Sequence, residues 1–560
     1  MRFKKEAIVL FLILILAAFL RFWQLGKAPP SPDWDEASLG YNAYSLMMTG
    51  KDEYGTILPL VLRSFDDYKP GVYAYLSILP IKIFGLNVFA VRFPAALLGT
   101  LAVLLTYFLV KELFPVISPR RSAFAHHPRC LALPLIASFL LAISPWHLQF
   151  SRIAFESNVG LFFNILAVLL FLKGLRRPLL LTAAAFFAGL NIYVYQAEKV
   201  FTPLLALALV FIFRKELKLI GRKYLFSAMS VGLLVILPFV YLALTTPAIF
   251  LRAIGTSFAA DQVPFLAKTA QRLQTDTQNH DFVGLILDNR RITYAKAFAG
   301  GYLSHFDLNW LFITGDDTRH QAPGMGMLYL WELPFLLWGI YNLIFGKWDF
   351  KVKLLVFSWF LLAPLPAAFS SGAPHGVRTL RMMPMVQIFV ALGIIELWRV
   401  IKERRLVLKL LIVIPLLGFS VFNFAYYLNQ YFVQQNYFNS QFWQYGYQEA
   451  LEEIEKIEPR YQKIVVSNQP FLDQSYIFFL FYLKYPPAEY QRFGGTVSGG
   501  FAETHQGFGK YTFRPITWAQ EEKSPSILYV GRPGNFPDGA KVIKLINFLD
   551  GQPAIKLVEG

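Results

Sequence analysis

The chain opens on a basic start, Met1-Arg2-Phe3-Lys4-Lys5. An unbroken apolar run follows, Ala7-Ile8-Val9-Leu10-Phe11-Leu12-Ile13-Leu14-Ile15-Leu16-Ala17-Ala18-Phe19-Leu20, and then Arg21-Phe22-Trp23. A charged start and a short apolar core also fit a secretory signal. No small-x-small cleavage pattern follows, so the expectation is an uncleaved signal-anchor helix. The same kind of run recurs near 88–110, 131–146, 158–172, 178–196, 200–213, 225–245, 326–346, 352–369, 383–400 and 408–427. This predicts about eleven membrane spans at roughly 20 residues each.

Composition agrees. Of 560 residues, 55% are hydrophobic, 17% aromatic and 16% charged, against roughly 25% charged in a soluble protein. Mean hydropathy is +0.44. That excludes intrinsic disorder and an ordinary soluble enzyme, whose surface could not hide so much Leu, Ile and Phe. The single cysteine, Cys130, excludes an internal disulfide framework and a Cys-based zinc site. The net charge of +17 is read as membrane topology, and nucleic acid is not an expected partner.

The basic residues fall in alternate loops: Lys111, Arg120, Arg121 and Arg129; Lys173, Arg176 and Arg177; Arg214, Lys215, Lys218, Arg222 and Lys223; Lys347, Lys351 and Lys353; Arg399, Lys402, Arg404, Arg405 and Lys409. By the positive-inside rule these loops and the N-terminus are cytoplasmic. An odd span count then leaves the tail outside. Three outside segments are long: about 26–86, about 246–325, and the tail. The tail reads as a small soluble α/β domain, from an acidic helical stretch (Glu449, Glu452, Glu453, Glu455), strand-like Lys463–Val466 and Ile527–Val530, and a buried helical run Ile477–Leu483. The expected fold is thus an all-α polytopic membrane domain over 1–427 and an extracytoplasmic α/β domain over 428–560.

Four polar clusters fall on the outer face by this topology. Pro29-Pro30-Ser31-Pro32-Asp33-Trp34-Asp35-Glu36-Ala37-Ser38 sets Asp35 and Glu36 at a helix start, where capping alone would explain carboxylates. Ser64-Phe65-Asp66-Asp67-Tyr68-Lys69-Pro70-Gly71 brings Lys69 to an amphipathic segment, where snorkelling is the plain alternative. Ser144-Pro145-Trp146-His147-Leu148-Gln149-Phe150-Ser151-Arg152 runs on to Glu156 and Asn158, and a local Arg152–Glu156 pair at i, i+4 is the plain reading. Ala373-Pro374-His375-Gly376-Val377-Arg378-Thr379-Leu380-Arg381 puts cations on an outside turn, against the topological bias, which favours an anionic partner. Carboxylates and cations together suit displacement from a phosphate leaving group: one takes a proton from the nucleophile and the others stabilise the departing charge. A site at the outer interface can take a lipid-borne phosphate from the bilayer and a polar acceptor from water.

With these residues the chain resembles the GT-C superfamily of integral-membrane glycosyltransferases, in the branch of protein O-mannosyltransferases and the lipid A aminoarabinose transferase. Asp35-Glu36 resembles that family's acidic motif in the first external loop. Lys69-Pro70 through Phe84-Gly85, Val91-Arg92-Phe93-Pro94 and Leu97-Leu98-Gly99 resembles its second block, and Ser144-Pro145-Trp146 through Arg152 and Glu156 its third. Pro374-His375 to Arg378 and Pro384 resembles a block common in bacterial members. Trp443–Tyr447 and Tyr476–Tyr482 are similar to the external tail of some bacterial members.

The resemblance implies a polyprenyl-phosphate-linked monosaccharide as donor. It also implies transfer outside the cytoplasm, with inversion, to a protein, glycan or lipid acceptor. Asp35 would then be the general base, and Glu36 would bind the acceptor or hold the loop. Lys69 and Arg152 would contact the donor phosphate. Glu156 matches the second acidic position, with Asp66 or Asp67 as alternatives. His375 and Arg378 join the phosphate contacts on their chemistry alone. A divalent metal could sit at Asp35, Glu36 and Glu156, though nothing in the pattern demands one. The other readings are an oligosaccharide ligase or polymerase with a diphosphate-linked donor, a transporter, and a silent receptor.

The remaining candidates are weaker. Tyr193, Tyr195, Gln196 and Glu198 cluster at an outside helix end; the tyrosines read as an aromatic belt, and Glu198 is expected to pair with Lys199. His126 and His127 read as solvated in a cytoplasmic loop, and His147 as a packing residue. Asp316 and Asp317 read as a solvated turn. Gly494-Gly495 and Gly499-Gly500 lack the context of a phosphate cradle.

Overall fold

A computed structural model describes residues 2–65, 67–114, 129–260, 262–493 and 507–560. Asp66, Arg120, Arg121, His126, His127, Gly494-Gly495 and Gly499-Gly500 lie outside the described residues.

Each apolar run of the sequence contains a helix. Among them are α1 (Arg2–Phe22) and α4 (Val88–Leu113); α2 (Trp34–Thr49) and α3 (Val72–Phe84) lie between these two, in the segment read as a loop. Among the described residues, five helices are long and apolar enough to cross a membrane: Val88–Leu113, Ser157–Gly174, Arg222–Thr245, Phe350–Ala368 and Leu406–Trp443. Gly376–Met382 and Met385–Ile401, bent by 53° at their junction, add a sixth if counted as one span. Leu179–Asn191 and Glu332–Phe345 are apolar but shorter. Arg222–Thr245 buries none of its residues, and Leu233, Leu234, Leu237 and Leu244 stand exposed along it, as lipid-facing side chains do.

The chain forms two compact units, each discontinuous in sequence. One holds residues 1–17, 101–147 and 160–424. A close crossing joins Glu332–Phe345 to Met385–Ile401, where Gly339 faces the Phe389 carbonyl and Gly393 faces the Phe335 carbonyl. A Cβ on Gly339 would fall 1.7 Å from the Phe389 oxygen, and one on Gly393 2.2 Å from the Phe335 oxygen. Small residues let two backbones approach where lipid supplies no hydrophobic drive. Gly339→Ala is therefore expected to cost about 1–3 kcal/mol and to lower the melting temperature in detergent. Gly418→Ala, whose Cβ meets nothing within 4 Å, should leave it unchanged; equal melting of the two variants would refute this packing.

The other unit holds residues 18–100, 148–159 and 425–560. Helix α2 starts on a capping box: Asp33 accepts from the Glu36 N–H at 2.9 Å, and the Glu36 carboxylate accepts from the Asp33 N–H at 3.3 Å. Gly50, at φ 69°, ends it in the left-handed region. Strands β1 (Val61–Ser64) and β2 (Asp67–Pro70) form an antiparallel hairpin with Lys69 opposite Leu62.

The tail is the α/β element expected. Strands β3 (Lys463–Val466), β4 (Tyr511–Phe513), β5 (Ile527–Gly531), β6 (Lys541–Asn547) and β7 (Pro553–Glu559) form a sheet in the order β4-β3-β5-β7-β6. β3 runs parallel to β4 and β5, and β7 antiparallel to β5 and β6. Val465, Ile527, Tyr529, Phe536 and Val558 pack one core. The run predicted at 477–483 is the helix Ser475–Tyr482, buried on nearly every side, with Phe478 stacked on Tyr447 at 4.4 Å. It packs on α2, and the Tyr41 hydroxyl donates to the Tyr485 carbonyl at 3.0 Å.

Candidate functional site

The acidic motif divides into two carboxylates with different surroundings. Glu36 is 1% exposed and is gripped by Arg92 from α4, Nε to Oε1 at 2.8 Å and Nη2 to Oε2 at 2.7 Å. The Ala154 N–H donates to the same carboxylate at 2.7 Å. Arg92 also donates to the carbonyls of Leu25 (3.1 Å), Pro29 (2.8 Å) and Ser31 (2.7 Å). A fork of donors on a carboxylate, with its remaining hydrogens on carbonyls, is what makes a buried pair tolerable. The sequence by itself marks Arg92 only as part of a longer block. A lone arginine inside an otherwise apolar helix was the signal for it.

Asp35 keeps 23% of its side chain exposed and pairs with Lys69 on β2. Lys69 is 5% exposed and lies over the Phe65 ring at 5.0 Å. It faces a carboxylate, so snorkelling to lipid headgroups does not describe it. The Ser38 and Ser64 hydroxyls meet at 3.0 Å and tie α2 to the hairpin beside this pair.

Arg152 is buried and makes no helical i, i+4 pair with Glu156, because residues 151–156 are not helical. Its Nη1 donates to the carbonyls of Leu20 (2.7 Å) and Arg21 (2.9 Å), its Nη2 to Trp23 (2.7 Å) and Ala28 (3.1 Å), and its Nε to the Tyr431 hydroxyl (3.3 Å). It fastens the chain that leaves α1 toward the acidic motif. Glu156 is half-buried, two residues after the Ala154 N–H that binds Glu36.

The other unit carries His375 and Arg378. Asp316 is not in a solvated turn; its side chain is 9% exposed. Its Oδ2 lies 3.2 Å from His320 Nδ1 and 3.8 Å from His375 Nδ1, and accepts from the Gly376 N–H at 2.5 Å. Burial opposes its charge, but the His320 hydrogen bond and the nearby histidines hold it below the usual carboxylate value. Burial, then His320 and Arg378, push His375 well below its ordinary value, so the ring is neutral. Asp317 is exposed and accepts from Thr318, as a solvated turn should. His147 is fully buried, in keeping with packing.

Glu198 likewise has an unexpected partner. It faces Arg381 at 3.2 Å, and its carboxylate accepts from Asn164 (2.7 Å) and Thr202 (2.9 Å), while the Lys199 ammonium donates to Gln196. Among the described residues, the donors that cluster at metal-ligand spacing are Asp316, His320 and His375, not Asp35, Glu36 and Glu156.

No family model matches the chain. ArnT from Cupriavidus metallidurans in the apo state superposes with a TM-score of 0.53 at 12% identity, over 100% of this chain and 98% of that one. The same protein bound to undecaprenyl phosphate gives 0.52 at 11% identity, over 98% and 97%. This is the GT-C fold. In sequence, the Bacillus subtilis (strain 168) protein named "Putative mannosyltransferase YkcB" is 29% identical over 210 residues. That match takes in 36% of this chain and 26% of the relative's length. End-to-end likeness to solved structures, with apolar helices throughout, makes the chain a multi-pass membrane protein of GT-C fold.

Proposed function

We propose that the protein is a glycosyltransferase that moves one monosaccharide from a polyprenyl phosphate to a hydroxyl acceptor at the outer face of the membrane, with inversion. The observation that carries this reading is the Asp35–Lys69 pair: a half-open carboxylate beside an ammonium, at the start of a helix braced by the Arg92–Glu36 fork. The GT-C fold and a neighbour of that fold bound to undecaprenyl phosphate support the donor class. Asp35 takes the acceptor proton as the acceptor oxygen bonds to the sugar's anomeric carbon. The bond from that carbon to the phosphate oxygen breaks, and the electron pair leaves with the phosphate. Lys69 stabilises that charge. Arg152 serves the phosphate by holding residues 20–28, and Glu156 supports the acceptor beside Glu36. His375 and Arg378 serve an anionic phosphate group in their own unit.

The topology we assign has eleven spans, a cytoplasmic N-terminus, a transmembrane domain over 1–427 and an extracytoplasmic domain over 428–560. The membrane is the plasma or inner membrane, and the acceptor is a protein, glycan or lipid of the cell envelope.

Labelled polyprenyl-phosphate sugars offered to the purified protein test the reading. Consumption of one donor by wild type and not by Asp35→Asn is expected. If no monophosphate donor is used, the reading fails and diphosphate-linked donors come next. Lys69→Met keeps the stem but loses the charge, and should lower kcat/KM for the donor on the order of 10²-fold. Unchanged donor kinetics would remove Lys69 from the site.

A further inference from the structure

We propose that Asp316, His320 and His375 bind a divalent transition-metal ion, zinc by their donor set. One carboxylate oxygen and two imidazole nitrogens lie within 4.8 Å of one another. The two separations involving Asp316, 3.2 and 3.8 Å, bracket the roughly 3.3–3.5 Å between ligands of a tetrahedral ion with bonds near 2.1 Å. A small turn of one imidazole closes the remaining gap. The rings of His320 and His375 lie face to face at 4.9 Å, both turned to the same carboxylate.

Three further observations point to a cation. The His375 Nδ1 atom is buried, and no hydrogen bond from the described residues reaches it. Its backbone is fixed from behind: the His375 N–H donates to His305 Nε2 at 3.1 Å, and His305 Nδ1 in turn donates to the Gly301 carbonyl at 2.7 Å. The Gly376 N–H and the Trp146 indole, which donates to the Gly376 carbonyl at 2.9 Å, lock the turn that carries His375. Outer groups that orient ligands in this way are the usual support of a metal centre.

Two nitrogens and one oxygen select zinc, cobalt or iron over magnesium, which prefers oxygen alone. Three protein ligands leave a fourth position open, the arrangement of sites that bind a further anion or water. Arg378 is close enough for its charge to act on His375. An anionic oxygen on the open position would offset both cations. The metal site does not rest on the transferase reading.

The test is metal binding by the full-length protein in detergent, stripped with chelator and then dialysed against zinc. One ion per chain is expected, retained in excess Mg2+. Titration with Co2+ should give visible d–d absorption that zinc abolishes. Asp316→Asn keeps an oxygen for the Gly376 N–H, and His320→Ala removes one imidazole. Both should remain folded by size exclusion and melting. Each should weaken zinc by more than about 100-fold, beyond the 10–100-fold typical of a group that only orients a ligand. A wild type that binds neither ion stoichiometrically overturns the proposal, as do folded variants that bind like wild type. Metal retention without donor turnover would leave this site standing and fail the transferase reading; turnover in a protein that binds no metal would do the reverse.

Discussion

Asp35→Asn should lose 10²–10⁴ in kcat, about 3–5 kcal/mol of barrier, in a protein that still folds. The substitution keeps size and shape but removes the proton acceptor. The fold should survive because the N-cap of α2 does not use Asp35: Asp33 and Glu36 form the box. Of the motif's two carboxylates, Asp35 alone reaches solvent appreciably, 23% against 1%. It is therefore the one an acceptor hydroxyl can approach. Donor and acceptor KM should change little, since a base acts mainly in the transition state. Near-normal turnover in a folded Asp35→Asn protein would end the assignment of Asp35 as base.

Arg92→Leu should act in the opposite way, costing about 3–5 kcal/mol of stability. It leaves the Glu36 carboxylate buried without its counter-charge and strips donors from the Leu25, Pro29 and Ser31 carbonyls. Glu36→Leu should be similarly damaging, because it buries the guanidinium alone. The double variant removes both charges, so it should lose less than the two singles together. Thermal unfolding in detergent measures all three. If Arg92→Leu melts like wild type, the fork is not what holds the acidic motif, and Glu36 returns as a candidate for direct acceptor contact. The contrast with Asp35→Asn separates adjacent residues: one variant should fail in chemistry, the other in folding.

The rival readings meet these results differently. A ligase with a diphosphate-linked donor would keep the dependence on Asp35 and reject every monophosphate sugar. A transporter or a silent receptor would show no turnover in wild type, so Asp35→Asn would have nothing to abolish.

The apolar helices, the capping start of α2 and the tail's strands at 463–466 and 527–531 were legible in the sequence. Each depends on neighbours a few residues away: a run of apolar side chains lowers its own transfer free energy, and a cap satisfies its own first turn. The tail strands at 511–513, 541–547 and 553–559 were not read: the first is only 3 residues long, and register shifts at Val542/Lys544 and Ile546/Asn547 interrupt the hairpin formed by the other two. The candidate residues were named by type and order, but their partners were not.

Three partnerships decide the roles. Arg152 pairs with no Glu156 and instead holds four backbone carbonyls more than a hundred positions away. Asp316 turns from a solvated loop to two histidines, and Glu198 from its neighbour Lys199 to Arg381. By itself the sequence determined which segments are apolar helices and named the carboxylates and cations that stand between them. Only the tertiary structure decided which charges are matched, because a buried charge must find a counter-charge or a hydrogen-bond fork wherever the fold brings one, and no local pattern records that place.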